Sequence, residues 1–124
     1  MPILDYQIQQ EKVFPRLAEV YCILFAVKKI LKISTQVLED AKDNNFSKLN
    51  EAHIITSSVK GVSTKDGLEG LEIIRRAAGG HGYSNYSALP TLQLETSPTY
   101  TFEGTLFFIQ VILPYWCYKS LATC

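Results

Sequence analysis

Three closely spaced glycines end a long helical pattern past the middle of the chain. They lie within residues 79–82, a segment that we call the glycine turn. Glycine lets the backbone turn tightly and expose its N–H groups, which suit a phosphate or another backbone segment. Two interpretations are open: a plain helix stop, or a cradle for a cofactor pyrophosphate with Arg75 as its charged partner. No strand pattern precedes the turn, as a dinucleotide-binding fingerprint requires, and no Lys-Ser/Thr pair follows it. The cradle residues would be Gly79, Gly80, His81 and Gly82.

A second segment places Glu103 between an aromatic residue and a glycine, in a region poor in charge. A glutamate near a helix start is often only a first-turn residue that the helix dipole favours. Here the flanking aromatic residues would desolvate the carboxylate and raise its pKa, as a base that removes a carbon-bound proton needs. Those flanks are Tyr100, Phe102, Phe107 and Phe108.

Other reactive side chains form no recognisable site. His81 is typical of a hydrogen-bonded turn histidine, and His53 is isolated from it, so we expect no metal site. Cys22, Cys117 and Cys124 lack metal-ligand spacing, and their odd number is typical of a reducing compartment. Cys22 lies within an apolar helical pattern and is expected in the core.

Hydrophobic periodicity predicts the helices that must position these segments. The first is expected from Pro15, whose missing N–H costs nothing at a helix start, to about Lys42. The second is expected from Leu49 or Asn50 to Ala78, where the glycine turn stops it. An apolar face recurs at helical spacing along the first helix, formed by Leu17, Val20, Tyr21, Leu24, Val27 and Leu31.

The last forty residues are expected to form a loop and then a third helix. Pro90, Pro98 and many Ser and Thr predict loop over residues 83–100, with one extended stretch around residues 91–94. A third helix, apolar on almost every side, is expected at or just after Glu103. The fold class is therefore all-α with about three helices, and the third needs more protein or a second copy to cover it.

Composition excludes several classes of function. The 124 residues are 47% hydrophobic and carry 12 basic and 12 acidic side chains, so nucleic acid is not an expected partner. The uncharged run of residues 104–118 is shorter than a membrane span and contains Pro114. Neither a signal peptide at the start nor a peroxisomal address at the end is evident, which by itself is compatible with the cytoplasm.

Three segments together resemble the peroxisomal acyl-CoA oxidases, within the wider acyl-CoA dehydrogenase fold. They are residues 4–18, beginning Leu-Asp-Tyr-Gln, residues 78–84, Ala-Gly-Gly-His-Gly-Tyr-Ser, and residues 101–104, Thr-Phe-Glu-Gly. The resemblance covers roughly residues 3–111 and implies one domain over residues 1–124. That domain would be a partial, antiparallel helical bundle like the first C-terminal domain of these enzymes, with a tail that diverges from about residue 112.

The resemblance implies FAD-dependent chemistry in the peroxisome. The family inserts a trans double bond between Cα and Cβ of a fatty acyl-CoA and reoxidises its flavin with O₂, giving H₂O₂. When the family's residue roles are carried over to this chain, Glu103 is the base, and its backbone N–H helps to bind the thioester oxygen. The glycine turn and Arg75 would lie against FAD of a neighbouring subunit. Gly104 and Thr105 would lie beside the flavin. A homodimer or association with an acyl-CoA oxidase subunit is implied.

Two departures from the family pattern favour an alternative function. Family members carry an acidic-Asn pair between the Glu-Gly and the Thr, whereas Gly104 runs directly into Thr105 here. The family's N-terminal helical domain and middle β-domain also have no counterpart among these residues, so we expect this chain alone to be inactive. The alternative is a non-enzymatic truncated isoform or pseudoenzyme that serves as a helical interaction module.

Overall fold

The computed structural model describes residues 2–102 and is built from three α-helices joined by short turns. These are α1 (Gln7–Lys42), α2 (Leu49–Ala77) and α3 (Leu89–Thr96). Over these residues there is no strand, so the all-α prediction is confirmed. Single 3₁₀ turns occupy Ile3–Asp5, Gly79–Gly82, Asn85–Ser87 and Ser97–Tyr100. The predicted third helix beginning near Glu103 lies outside the described residues.

Helices α1 and α2 form an antiparallel hairpin. At one end, Gln9 Nε2 donates to the carbonyl oxygen of Ala77 over 3.1 Å. At the other, Lys48 Nζ lies 3.3 Å from Asp40 Oδ2. The two contacts fix the register, since each joins residues near opposite ends of the two helices.

Few residues are buried between the two helices, and small ones are prominent among them. Val37 on α1 and Ala52 on α2 are the buried hydrophobic residues of the described chain. Gly70 of α2 is also buried, and a Cβ added there would lie 3.3 Å from Arg16 Cδ. Small residues bring the helix axes close, but they bury little apolar area, so the hairpin depends on few contacts.

The start predicted for the first helix is wrong. Helix α1 begins at Gln7, eight residues before Pro15, and Pro15 lies inside it. The proline leaves the carbonyl of Glu11 without its usual N–H partner, which disfavours but does not prevent a helix. The end predicted at Lys42 is confirmed, and Asn44 then adopts a left-handed conformation with φ 56°.

The prediction of loop over residues 83–100 is also wrong. Residues 91–94 belong to α3, which follows Ala88 in a left-handed conformation with φ 59°. Pro90 sits in the first turn of α3, and Pro98 in the first turn of the next 3₁₀ turn. At these positions a proline lacks only an N–H that would have no partner within the helix, so both prolines start helices here.

The apolar face predicted on the first helix is present, but α2 leaves it largely uncovered, although Val20 lines a cavity shared with α2. Ile23, Ala26 and Val37 face α2, whereas all six residues of that predicted face are exposed. The prediction that Cys22 is a core residue is wrong as well, because its side chain is exposed. Helix α1 therefore presents apolar surface to two sides, only one of which α2 covers.

Candidate functional site

The glycine turn follows directly from the end of α2. Gly79 takes the left-handed conformation, with φ 58°, and so ends the helix after Ala77, which confirms the predicted helix stop. The chain then makes one 3₁₀ turn, in which Tyr83 N–H donates to the Gly80 carbonyl oxygen and Ser84 N–H to that of His81, each over 3.2 Å.

The two faces of the glycine turn differ in how closely other atoms approach. Among residues 2–102, a Cβ built on Gly79 or Gly80 meets no atom within 4 Å, and His81 is exposed. Gly82 is buried, and a Cβ built there would overlap the carbonyl oxygen of Arg75. The turn therefore packs against α2 through Gly82, where only glycine fits, and leaves its first residues open to a ligand.

Glu72 joins the end of α2 to α3. Its Oε2 accepts from Arg75 Nε over 2.7 Å and from Gln93 Nε2 over 2.8 Å. Its Oε1 accepts from Arg75 Nη2 over 2.7 Å and from Arg76 Nε over 2.6 Å. One carboxylate thus holds two guanidinium groups and one amide, a set of bonds that uses all of its usual acceptor directions.

This arrangement holds Glu72 ionised. The hydrogen bonds from Arg75 and then Arg76 lower the pKa of Glu72 to about 2, against its usual 4.5. In return, the Glu72 carboxylate raises the pKa of Arg75. With one negative and two positive charges, the cluster keeps a net positive charge beside the glycine turn.

Sequence reasoning singled out Arg75 but missed Glu72, Arg76 and Gln93. The Glu72–Arg75 and Glu72–Arg76 pairs have the i,i+3 and i,i+4 spacing of helical ion pairs, so this signal was present in the sequence. Gln93 lies 21 residues from Glu72, on a segment predicted as loop, and local spacing gives no signal for it.

The second predicted segment is described only up to Phe102. The Phe102 carbonyl oxygen accepts a hydrogen bond from Lys60 Nζ over 2.8 Å, and this bond holds the backbone at Phe102 beside α2. The candidate base Glu103 and the candidate flavin contacts Gly104 and Thr105 lie outside the described residues.

The described part of the chain forms neither a candidate metal site nor a membrane-spanning helix. Within residues 2–102, no group of three or more His, Cys, Asp or Glu side chains is placed to hold a metal ion. None of the helices found there combines the length and the hydrophobicity that crossing a membrane requires.

Comparison with known proteins decides the family. The family model for the acyl-CoA oxidase C-alpha1 domain matches residues 1–113. The chain belongs to the acyl-CoA oxidase family. Peroxisomal acyl-coenzyme A oxidase 2 of Mus musculus is 41% identical over 111 residues, which cover 88% of this chain and 16% of that protein. Peroxisomal acyl-coenzyme A oxidase 1 of Bos taurus is 39% identical over 102 residues, covering 82% of this chain and 16% of that protein.

A solved structure supports the same assignment. Arabidopsis thaliana acyl-CoA oxidase 1 superposes with a TM-score of 0.85 at 34% identity, covering 96% of this chain and 18% of that one. The expected likeness to the helical C-terminal part of acyl-CoA oxidases is therefore confirmed. The chain spans 16% of the length of the curated relatives named here.

Replacing Gly82 by alanine should unfold the glycine turn locally. The added methyl group would overlap the Arg75 carbonyl oxygen, so we expect the free energy of unfolding to fall by about 1–3 kcal/mol. Urea denaturation followed by circular dichroism measures this. Gly80→Ala is the matched control, since its methyl group meets no atom within 4 Å; equal losses in both variants would contradict the close packing of Gly82.

Glu72→Gln should change how stability depends on pH. Because the pKa of Glu72 is about 2 in the fold and 4.5 ordinarily, its ion pairs stabilise the wild type fully above about pH 4.5. That contribution disappears as the pH falls from 4.5 to 2, so the variant should be less stable at pH 7 and equal to the wild type near pH 2.

Urea denaturation at several pH values between 2 and 7 measures this difference. Glu69→Gln is the control, because Glu69 is exposed and its oxygen lies 3.9 Å from Lys65 Nζ, too far for a strong ion pair. Parallel pH profiles for Glu72→Gln and the wild type would refute the role given to the cluster.

Proposed function

We propose that this chain is the flavin-facing helical part of an acyl-CoA oxidase. In the complete enzyme, a fatty acyl-CoA is dehydrogenated between Cα and Cβ, with FAD as cofactor and O₂ as acceptor, giving H₂O₂. The observation that carries the proposal is the family match over residues 1–113, which includes both the glycine turn and the Phe-Glu-Gly segment. Because the curated relatives are named peroxisomal, we place this reaction in the peroxisome.

In this proposal Glu103 is the general base. Its carboxylate removes the α-proton of the acyl-CoA, and its backbone N–H donates to the thioester oxygen, which stabilises the enolate-like charge. A bound FAD would supply the acceptor for the hydride that leaves Cβ. The hydrogen bond from Lys60 to the Phe102 carbonyl oxygen supports this role, because it holds the residue before Glu103 beside α2.

The described residues fit one side of a flavin dinucleotide. The open backbone at Gly79 and Gly80 lets a phosphate approach, and the Glu72 cluster supplies the positive charge that a diphosphate requires. The proposed cofactor contacts are Gly79, Gly80, His81, Gly82, Gly104 and Thr105, and Arg75 belongs to the charged cluster beside them.

We further propose that these residues act only together with the rest of an acyl-CoA oxidase. They form one partial helical domain over residues 1–124, diverging from about residue 112, and span 16% of the curated relatives. By themselves they should produce no H₂O₂ from FAD and an acyl-CoA.

A chimeric enzyme tests the role of Glu103. Residues 1–113 of this chain replace the matching part of mouse peroxisomal acyl-coenzyme A oxidase 2, and H₂O₂ release is followed with a saturated acyl-CoA. We expect oxidase activity from the chimera, and Glu103→Gln should lower it about 10²–10⁴-fold, with FAD absorbance retained. The exposed Glu11→Gln is the control; an active Glu103→Gln chimera would disprove the assignment.

The second candidate function is a non-enzymatic interaction module, and the exposed side of α1 favours it. Six large apolar residues are exposed there at steps of three, four and seven, which is the spacing of a helix-pairing seam. We call them the α1 seam: Phe14, Leu17, Tyr21, Leu24, Leu31 and Leu38. We propose that this seam binds another acyl-CoA oxidase subunit or a second copy of this chain.

Leu24→Lys tests the seam. Leu24 lies near its centre and is 44% exposed, so a charge there should abolish association and leave the melting temperature nearly unchanged. Sedimentation of the chain, alone and mixed with a full-length acyl-CoA oxidase, measures association. Glu11→Lys, also exposed on α1 but outside the seam, is the control. Unchanged association of the Leu24 variant would rule out binding through the α1 seam.

A further inference from the structure

The two arginines bound to Glu72 are engaged to different degrees. Arg75 uses two nitrogens, Nε and Nη2, to meet both carboxylate oxygens at 2.7 Å, and its side chain is 25% exposed. Arg76 uses only Nε, at 2.6 Å, and its side chain is 73% exposed. The forked end of Arg76 therefore remains available to a ligand, whereas that of Arg75 is mostly used inside the protein.

We propose that Arg76, not Arg75, binds the diphosphate of a nucleotide ligand at the glycine turn, and that Arg75 and Glu72 only hold it in position. The inference rests on the proposed function, which brings a dinucleotide to this turn, and names the side chain that would contact it. Two sources of the same chemistry are relevant, the diphosphate of FAD and that of coenzyme A.

Charge supports this division of roles. Glu72 stays ionised and neutralises one of the two guanidinium groups, which leaves one net positive charge on the more exposed Arg76. The two terminal nitrogens of an arginine match two phosphate oxygens, so an arginine held through Nε is already oriented for an anion.

The surroundings indicate on which side of Arg76 the anion binds. On the α3 side, a cavity of about 480 Å³ is lined by Arg76 but also by the carboxylates of Glu69 and Glu72, which repel an anion. On the other side, the segment between α2 and α3, from Ala78 to Ala88, contains no acidic residue. Arg76 is three residues before Gly79, whose surroundings are open. The glycine-turn side is therefore the favourable one.

Ligand titration of the purified chain tests the proposal. FAD, coenzyme A and ADP carry a diphosphate, whereas riboflavin does not, and calorimetry measures each affinity at low salt. Arg76→Gln should weaken FAD and ADP binding about tenfold, leave riboflavin binding unchanged and keep the melting temperature. Arg75→Gln should change these affinities less than about twofold but lower the melting temperature, since it removes half of the bonds to Glu72.

Lys29→Gln is the control for loss of one positive charge, because Lys29 is an exposed residue of α1 far along the chain from the turn. A loss for FAD but not for coenzyme A identifies the flavin as the diphosphate source, and a loss for coenzyme A but not for FAD identifies the substrate. The proposal is overturned if Arg75→Gln weakens binding and Arg76→Gln does not, or if the wild type binds no diphosphate. Neither outcome affects the Glu103 chimera, so the two proposals fail separately.

Discussion

The antiparallel packing of α1 against α2 is the interaction on which the described structure depends. The two helices of 36 and 29 residues meet along a seam of small side chains, in which Val37 and Ala52 are buried. Such an interface buries little apolar surface. The stability of the part must therefore come largely from what covers the other faces, which agrees with a segment that spans 16% of its curated relatives.

Polar contacts add to the limited packing between α1 and α2. Glu72 ties α3 to α2 through Gln93, and Gly82 lets the glycine turn lie directly on the Arg75 carbonyl group. Each contact ends at the same turn of α2. Because these contacts converge there, the surface proposed for a dinucleotide is one of the better anchored parts of a sparsely packed fold.

Much of this structure was predictable from the sequence, for identifiable reasons. The end of α1 at Lys42, the start of α2 at Leu49 and the glycine stop rest on local turn chemistry, and all three are confirmed.

The errors in the predicted elements have a different origin. Pro15 was expected to begin a helix and Pro90 to lie in a loop, whereas Pro15 lies inside α1 and Pro90 lies in the first turn of α3. A proline is compatible with a first helical turn and, at a cost, with a helix interior, so its position alone does not place a helix start. Cys22 was expected in the core but is exposed, because periodicity reports an apolar face without its partner. In the candidate site, Gln93 could not be predicted because its partner is 21 residues away.

The hydrogen bond from Gln9 to the Ala77 carbonyl oxygen joins residues 68 positions apart. It supplies a donor to one of the last carbonyl groups of α2, which have no partner of their own within the helix. A contact of such long sequence separation forms only after the whole hairpin has closed, because the intervening chain must first lose its freedom. The backbone before the glycine turn is thus capped by a side chain from the first turn of α1, which ties the start of α1 to the end of α2.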